Sequence, residues 1–383
     1  MKYRLEELAE VYDSLHQTPI YIKDGIPMVR VTDLGEGYLN LSKTLKVSEE
    51  VYNEFTKKYI PRKNDIIMSR VGTYGVCTLV NTEEKFCLGQ NTVIISPKEN
   101  KKFLYYYLIS GNVREQIESF VTGSTQKTIS LKNIRNIIVD LPNEKQQEKI
   151  SNILDNIDKK IELNSKINDN LLKLGLSMIS NLVYTELITL KEQADIISKG
   201  TTPTGKDMNT YSNRDIKFVK VKDFDEFGVN ETNLEYIPVE IHKGKLKRSI
   251  LMKDDLLVSI AGTLGKIGIV SETLDNANTN QAVAFIRLKR NINKGFLYFY
   301  MRTECFQEEI IKRKVHAVQP NLSLTELGNI KVPNLNENDC KVYNMLLAKI
   351  LANNKQNEIL TQLRDTLLPR LMNGEIDLDK IEI

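Results

Sequence analysis

The sequence predicts a mixed α/β (α+β) protein in which two similar globular domains are separated by two long antiparallel coiled-coil helices. Three observations predict it. The chain repeats itself at about half its length, and each copy ends in a long stretch with apolar residues at helical spacing. Inside each copy, short β-branched runs alternate with turn residues. The divisions expected are 1–143 for the first domain, 144–184 for the first long helix, 185–336 for the second domain, and 337–383 for the second helix and tail.

The repeat is read in six blocks. Lys63-Asn64-Asp65-Ile66-Ile67-Met68-Ser69 matches Lys253-Asp254-Asp255-Leu256-Leu257-Val258-Ser259 at an offset of 190, and each is followed by a Gly-Thr-x-Gly turn, Gly72 to Gly75 and Gly262 to Gly265. Upstream, Ile26 to Asp33 matches Ile216 to Asp223. Downstream, Gln90-Asn91-Thr92 meets Asn280-Gln281-Ala282, and Phe103 to Leu108 meets Phe296 to Met301. Ser130-Leu131 and Ser323-Leu324 are each expected to open a short apolar strand ending near Pro142 and Pro333. Strands are also expected at Asp65 to Ser69, Val76 to Val80, Val93 to Ser96, Lys217 to Val221, Leu256 to Ile260 and Val283 to Leu288. One helix per domain is expected, Lys101 to Phe120 and Asn293 to Lys314.

The first long helix should run from about Glu144 to Leu182, with Ile150, Ile153, Leu154, Ile157, Ile161, Ile167, Leu171, Leu174 and Met178 on one stripe. The second should run from about Glu337 to Leu368, with Val342, Met345, Leu346, Ile350, Ile359, Leu360, Leu363 and Leu367 on one side, ending at Pro369 and Gly374. Such faces need a partner, and each helix is the other's simplest one. Asn164, Asn168, Asn353 and Asn354 fall near the seam, where a buried amide could fix register.

Composition narrows the function. A 41% apolar and 27% charged balance is that of an ordinary soluble protein, and no run approaches the roughly 20 apolar residues that span a bilayer. The opening MKYRLEELAEVYD has no signal-peptide core, so a cytoplasmic location is expected. Cys77, Cys87, Cys305 and Cys340 lack metal-ligand spacing and read as free thiols. His16, His242 and His316 are scattered. Gly262-Thr263-Leu264-Gly265-Lys266 lacks the spacer and the following hydroxyl of a phosphate loop. No catalytic residue, metal site or bound cofactor is therefore expected. An enzyme with a cryptic site, such as a nuclease, and a coiled-coil adaptor binding only protein are the alternatives.

The net charge of +3 decides nothing, but the basic residues recur at matching places. Lys57, Lys58, Arg62 and Lys63 precede one repeated strand; Lys243, Lys245, Lys247 and Arg248 precede its copy. A run of lysines is ordinarily a solvated face; here it appears twice. Arg70, Thr73, Tyr74, Thr263 and Lys266 lie in or beside the glycine turns, where backbone can approach a phosphate and hydroxyls can donate to it. Lys220 and Lys222 belong to the repeated block before the second basic cluster. The loop holding Ser124, Thr125, Gln126 and Lys127 and its counterpart with Gln319 and Asn321 offer groups that pair with base edges. These are the candidate DNA-binding residues.

At this point the chain resembles a known family. KNDIIMSRVGTYG, KDDLLVSIAGTLG, VTGSTQKTISLKNIRNIIVDLP, LPNEKQQEKISNILDNIDKKIELN and LTQLRDTLLPRLMNGEIDL together are similar to the specificity subunit of type I restriction–modification systems, over nearly the whole chain. The second domain departs from the pattern, with HAVQPNLS where the first has GSTQKTIS. The resemblance implies a non-catalytic subunit whose target-recognition domains each read half of a bipartite double-stranded DNA site. It implies two methyltransferase subunits as partners, carrying S-adenosylmethionine and modifying adenine N6, and a motor–nuclease subunit that could join them. The helices would act as a ruler. About 36 residues make roughly 54 Å of helix, on the order of 16 base pairs of duplex.

Overall fold

The structure is a computed structural model describing residues 1–121, 127–183, 186–210, 213–313, 321–335 and 341–378. It divides into two compact units, Met1–Glu162 with Ile359–Ile383, and Leu163–Glu358. Each long helix contributes a segment to both units.

In the first unit the strands Ala9–Asp13, Thr92–Pro97, Ile66–Ser69 and Cys77–Leu79 form an antiparallel sheet in that order. Both faces of this sheet are covered, so its strands read as unbroken apolar runs. Ile66, Met68, Val93 and Ile95 face a core containing Tyr105 and Tyr106; Ile67 and Ile94 face a second core with Val29 and Phe86. A three-stranded sheet, Leu45–Val47, Ile26–Val29 and Cys87–Leu88, extends that second side. Lys2–Arg4 pairs with Ile138–Asp140.

The second unit repeats this topology strand for strand. Its sheet runs Ala194–Lys199, Val283–Leu288, Leu256–Ser259, Ile267–Ile269, beside the triplet Glu235–Pro238, Arg214–Val219, Asn278–Thr279. Leu256, Val258, Ala284 and Ile286 face one core, and Leu257, Val283 and Phe285 the other. The fold is thus mixed α/β and duplicated.

Several local expectations change. Each expected single helix is two, Lys101–Leu108 with Gly111–Phe120 and Lys294–Tyr300 with Glu304–Arg313. The first break sits at Ser110, which is extended with ψ 158°. Leu131–Arg135 and Leu324–Gly328 are short helices rather than strands, because Ser130 and Ser323 accept from the backbone N–H three residues on at 3.1 Å each, and the strands begin only afterwards. The alignment also slips by one residue inside the sheet. Ser69 pairs with Thr92, whereas Ser259 pairs with Val283, so the structural equivalent of Gln90 is Gln281 rather than Asn280.

The long helices are Glu144–Ser180 and Val342–Met372. The second passes through Pro369 and is closed by Gly374, whose φ of +70° suits glycine; its expected start at Glu337 lies outside the described residues. Within the first unit Ile150 and Leu154 share a core with Leu368 and Leu371, and within the second Leu172 and Ile179 share one with Tyr343, Leu347 and Ile350. Leu174, Met345, Ile359 and Leu363, expected on the stripe, are exposed instead. The seam amides of the second unit bond to one another. Asn168 donates to Asn354 at 2.8 Å and accepts from Asn353 at 2.7 Å, while Asn164 donates to Gln356 at 2.8 Å and Asn357 at 2.9 Å.

Candidate nucleic-acid interface

Antiparallel pairing decides which loops meet. In the first unit the strand ends at Asp13, Thr92, Ser69 and Cys77 share one edge of the sheet. That edge carries residues 14–25, the Gln90-Asn91 turn, the Gly-Thr-x-Gly turn and, by a bridge from Val71 to Thr128, the end of the 122–128 loop. In the second unit the same edge carries residues 200–205, Asn280-Gln281, the second glycine turn and, by a bridge from Ala261 to Asn321, the equivalent loop end. The two stretches predicted separately, turn and polar loop, are therefore neighbours in both units.

The turns are built identically. Gly72, Gly75, Gly262 and Gly265 have φ of +73°, +76°, +74° and +79°. Ser69 donates through its hydroxyl to the Thr73 carbonyl, and Ser259 does so to that of Thr263 at 2.6 Å. The same hydroxyls accept from the N–H of Val76 at 3.0 Å and of Lys266 at 2.8 Å. Thr73 and Thr263 are left exposed at the tips.

The charged candidates divide into two kinds. Arg70 is engaged internally, donating to Asp13 at 2.6 Å and the Ile129 carbonyl at 3.2 Å; Asp13 also contacts His16 at 3.0 Å. Lys266 donates to the carbonyls of Phe224 at 3.0 Å and Val221 at 3.3 Å. Lys220 and Lys222 share Glu235 at 2.6 and 2.8 Å, which holds that carboxylate below its usual range. Lys245 sits 2.6 Å from Asp207 and, with the N–H and hydroxyl of Thr204, pulls that carboxyl down to about 2. Lys127 lies over the Tyr74 ring at 5.8 Å, and Tyr74 donates to Glu118 at 2.8 Å.

Lys57, Lys58, Lys63, Lys243, Lys247 and Arg248 are exposed and form no ion pair among the described residues. Arg62 is exposed too, over the Tyr59 ring at 5.7 Å. This set meets the loop edge in part: Lys58 lines a pocket with Asp13 and Ser14, and Lys245 of the second cluster pairs with Asp207, which accepts from Thr204 of the 200–205 loop. The set leads into the start of strands Ile66–Ser69 and Leu256–Ser259, whose other ends carry the turns. Ser124, Thr125, Gln126 and Gln319 lie outside the described residues.

Sequence reasoning missed the residues that pack the loop edge together. Gln90 donates to Thr18 at 3.5 Å, and Thr202 donates to Gln281. Gly200 makes the second contact possible, since a Cβ there would stand 1.9 Å from the Thr279 carbonyl oxygen. The glutamines were visible as a repeated block, but only strand pairing shows them as equivalents.

No helix among the described residues is long and apolar enough to cross a membrane, and no cluster there could hold a metal ion. A family model described as the type I restriction modification DNA specificity domain matches residues 1–173 and again 184–367. The EcoBI type I restriction enzyme specificity subunit of Escherichia coli is 28% identical over 350 residues, covering 81% of this chain and 70% of its own. The MjaVIII specificity subunit of Methanocaldococcus jannaschii is 26% identical over 357 residues, covering 82% and 79%. The solved S subunit of a type I restriction–modification system from M. genitalium shares the fold, with a TM-score of 0.52 at 20% identity over 97% of this chain and 95% of that one. With both halves matched by the same model, the chain belongs to the type I restriction–modification DNA specificity family.

Proposed function

We propose that this chain, a non-catalytic specificity subunit, reads a bipartite double-stranded DNA target, one half with each globular domain. The observation that carries this reading is the loop edge, which one chain builds twice, on two equivalent sheets, with different loop sequences. Two copies of one reader with divergent tips suit two different half-sites. On this reading Thr73, Lys127, Thr263 and Asn321 face the duplex, and Arg70 and Lys266 hold the turns from behind. The exposed clusters Lys57, Lys58, Arg62, Lys63 and Lys243, Lys247, Arg248 neutralise flanking phosphates, and Lys220, Lys222 and Lys245 would reach phosphate only by exchanging Glu235 and Asp207 for it.

The long helices supply a spacer; 37 residues of unbroken helix extend about 55 Å. Methyltransferase subunits would dock on this frame and bring S-adenosylmethionine, flipping the target adenine out of the stack for N6 methylation. A motor–nuclease subunit would add restriction. The test is to express the chain with its methyltransferase partner and map methylated adenines in genomic DNA. The expected motif has two specified parts with an unspecified gap; a continuous motif overturns the reading.

A further inference from the structure

We propose that Gln90 and Gln281 are equivalent base-reading residues, each meeting the edge of an adenine in its own half-site. This rests on the proposed function and names specificity-determining residues within it. Four observations converge. The glutamines occupy the same place: Gln90 stands two residues before Thr92, the partner of Ser69, and Gln281 two before Val283, the partner of Ser259. Both are exposed on the loop edge. Each is tied to a threonine of the loop that follows the first strand of the large sheet, Thr18 in one unit and Thr202 in the other. Beyond the shared Thr-Pro pair, Thr18-Pro19 and Thr202-Pro203, those loops differ in length and sequence, SLHQTPIYIKDG against GTTPTG, so the amide and its tether persist where the surroundings diverge.

The chemistry follows from the amide. A primary amide presents one donor face and one acceptor face side by side, matching adenine N7 and the N6 amino group in the major groove. A long unbranched side chain loses rotamer freedom when it docks, and a bond to a neighbouring hydroxyl removes part of that loss beforehand. The backbone behind each glutamine is also fixed. The Gly89 N–H donates to the Val29 carbonyl at 2.8 Å, and the Thr201 N–H to that of Thr279 at 3.2 Å. A reader common to both domains suits a system that needs an adenine in each half-site, while the differing loops set the other bases.

The experiment measures competitive binding of the complete methyltransferase complex to duplexes carrying every single-base substitution of its target. Gln90→Ala is expected to erase preference at one position of one half-site, by roughly ten- to hundredfold, and Gln281→Ala at one position of the other. Gln90→Glu, which can only accept, is expected to shift the preferred base there from adenine to cytosine. Unchanged preference at every position, or equal weakening across all duplexes, would overturn the proposal. A wild-type complex with no two-part preference would instead remove the function on which it rests.

Discussion

The two units share a topology but join their sheets to the long helices by opposite means. In the first, Asp158 accepts from the Tyr106 hydroxyl at 2.8 Å and from Arg364 at 3.2 Å. Beside it Asp155 accepts from Lys102 at 2.6 Å, Lys159 at 2.7 Å and the Tyr38 hydroxyl at 2.5 Å. In the second, continuing the offset of 193 that matches Phe103 to Phe296, the places of Tyr106, Asp158, Arg364, Asp155, Lys102 and Lys159 are taken by Phe299, Leu351, Leu171, Ala348, Gly295 and Ala352. There Phe299 lies against Gly175, where an added Cβ would come within 2.6 Å of the ring. One joint is a buried ionic network and the other a close-packed apolar one. A buried ion pair rarely stabilises more than an apolar replacement of its volume, but it is costly to break by halves. The ionic joint therefore fixes geometry, and the apolar joint contributes stability through packing.

The comparison breaks most visibly at Asp158. Asp158→Ala removes the one buried partner of Arg364, leaving it the part-exposed Glu36 and the exposed Asp365, and should cost about 3 kcal/mol in urea unfolding of the first unit. Installing the second unit's solution, Tyr106→Phe with Asp158→Leu and Arg364→Leu, should recover most of that loss; no recovery would show that volume rather than charge governs the joint. Next, Phe299→Tyr buries a hydroxyl among apolar neighbours and should cost about 1–3 kcal/mol, read as a lowered unfolding midpoint of the second unit.

A comparable or smaller loss, about 1 kcal/mol or somewhat more, is expected from Asn168→Ala, which leaves Asn353 and Asn354 without their partners. The smallest effect is a pH dependence confined to the second unit. Asn278 donates to His242 Nδ1 at 3.1 Å, so the ring is neutral with its proton on Nε2, bonded to Asn276 at 3.3 Å. Burial holds its pKa below the ordinary imidazole value. The unfolded chain therefore takes the proton first, and stability is complete above about pH 6.5 and declines below it. Unfolding midpoints across that range should show the decline, and His242→Gln should abolish it.

The duplication, the mixed α/β class and the paired helices were legible because they rest on repeated residues and on apolar periodicity. Ile66-Ile67-Met68 and Leu256-Leu257-Val258 declare a strand covered on both faces, whatever else surrounds them. The joints were illegible for a physical reason: Asp158 and Arg364 read as solvent-facing charges on a helix surface, and only tertiary pairing buries them to 4% and 6% exposure. Short helices after Ser130 and Ser323 were mistaken for strands because five residues are too few to show a period. At the loop edge, the turn glycines announced themselves by sequence, while Arg70 and Lys266 looked like free cations. Their partners, Asp13 and two backbone carbonyls, are distant in sequence, and no spacing rule reaches them.

On the proposed function, each domain reads its own stretch of duplex independently. The most direct measurement replaces residues 186–335 with the same region of another family member and maps methylated adenines made by the resulting complex. A motif that changes in one specified half, while the other half and the gap length persist, is the predicted result. Change in both halves together would contradict it.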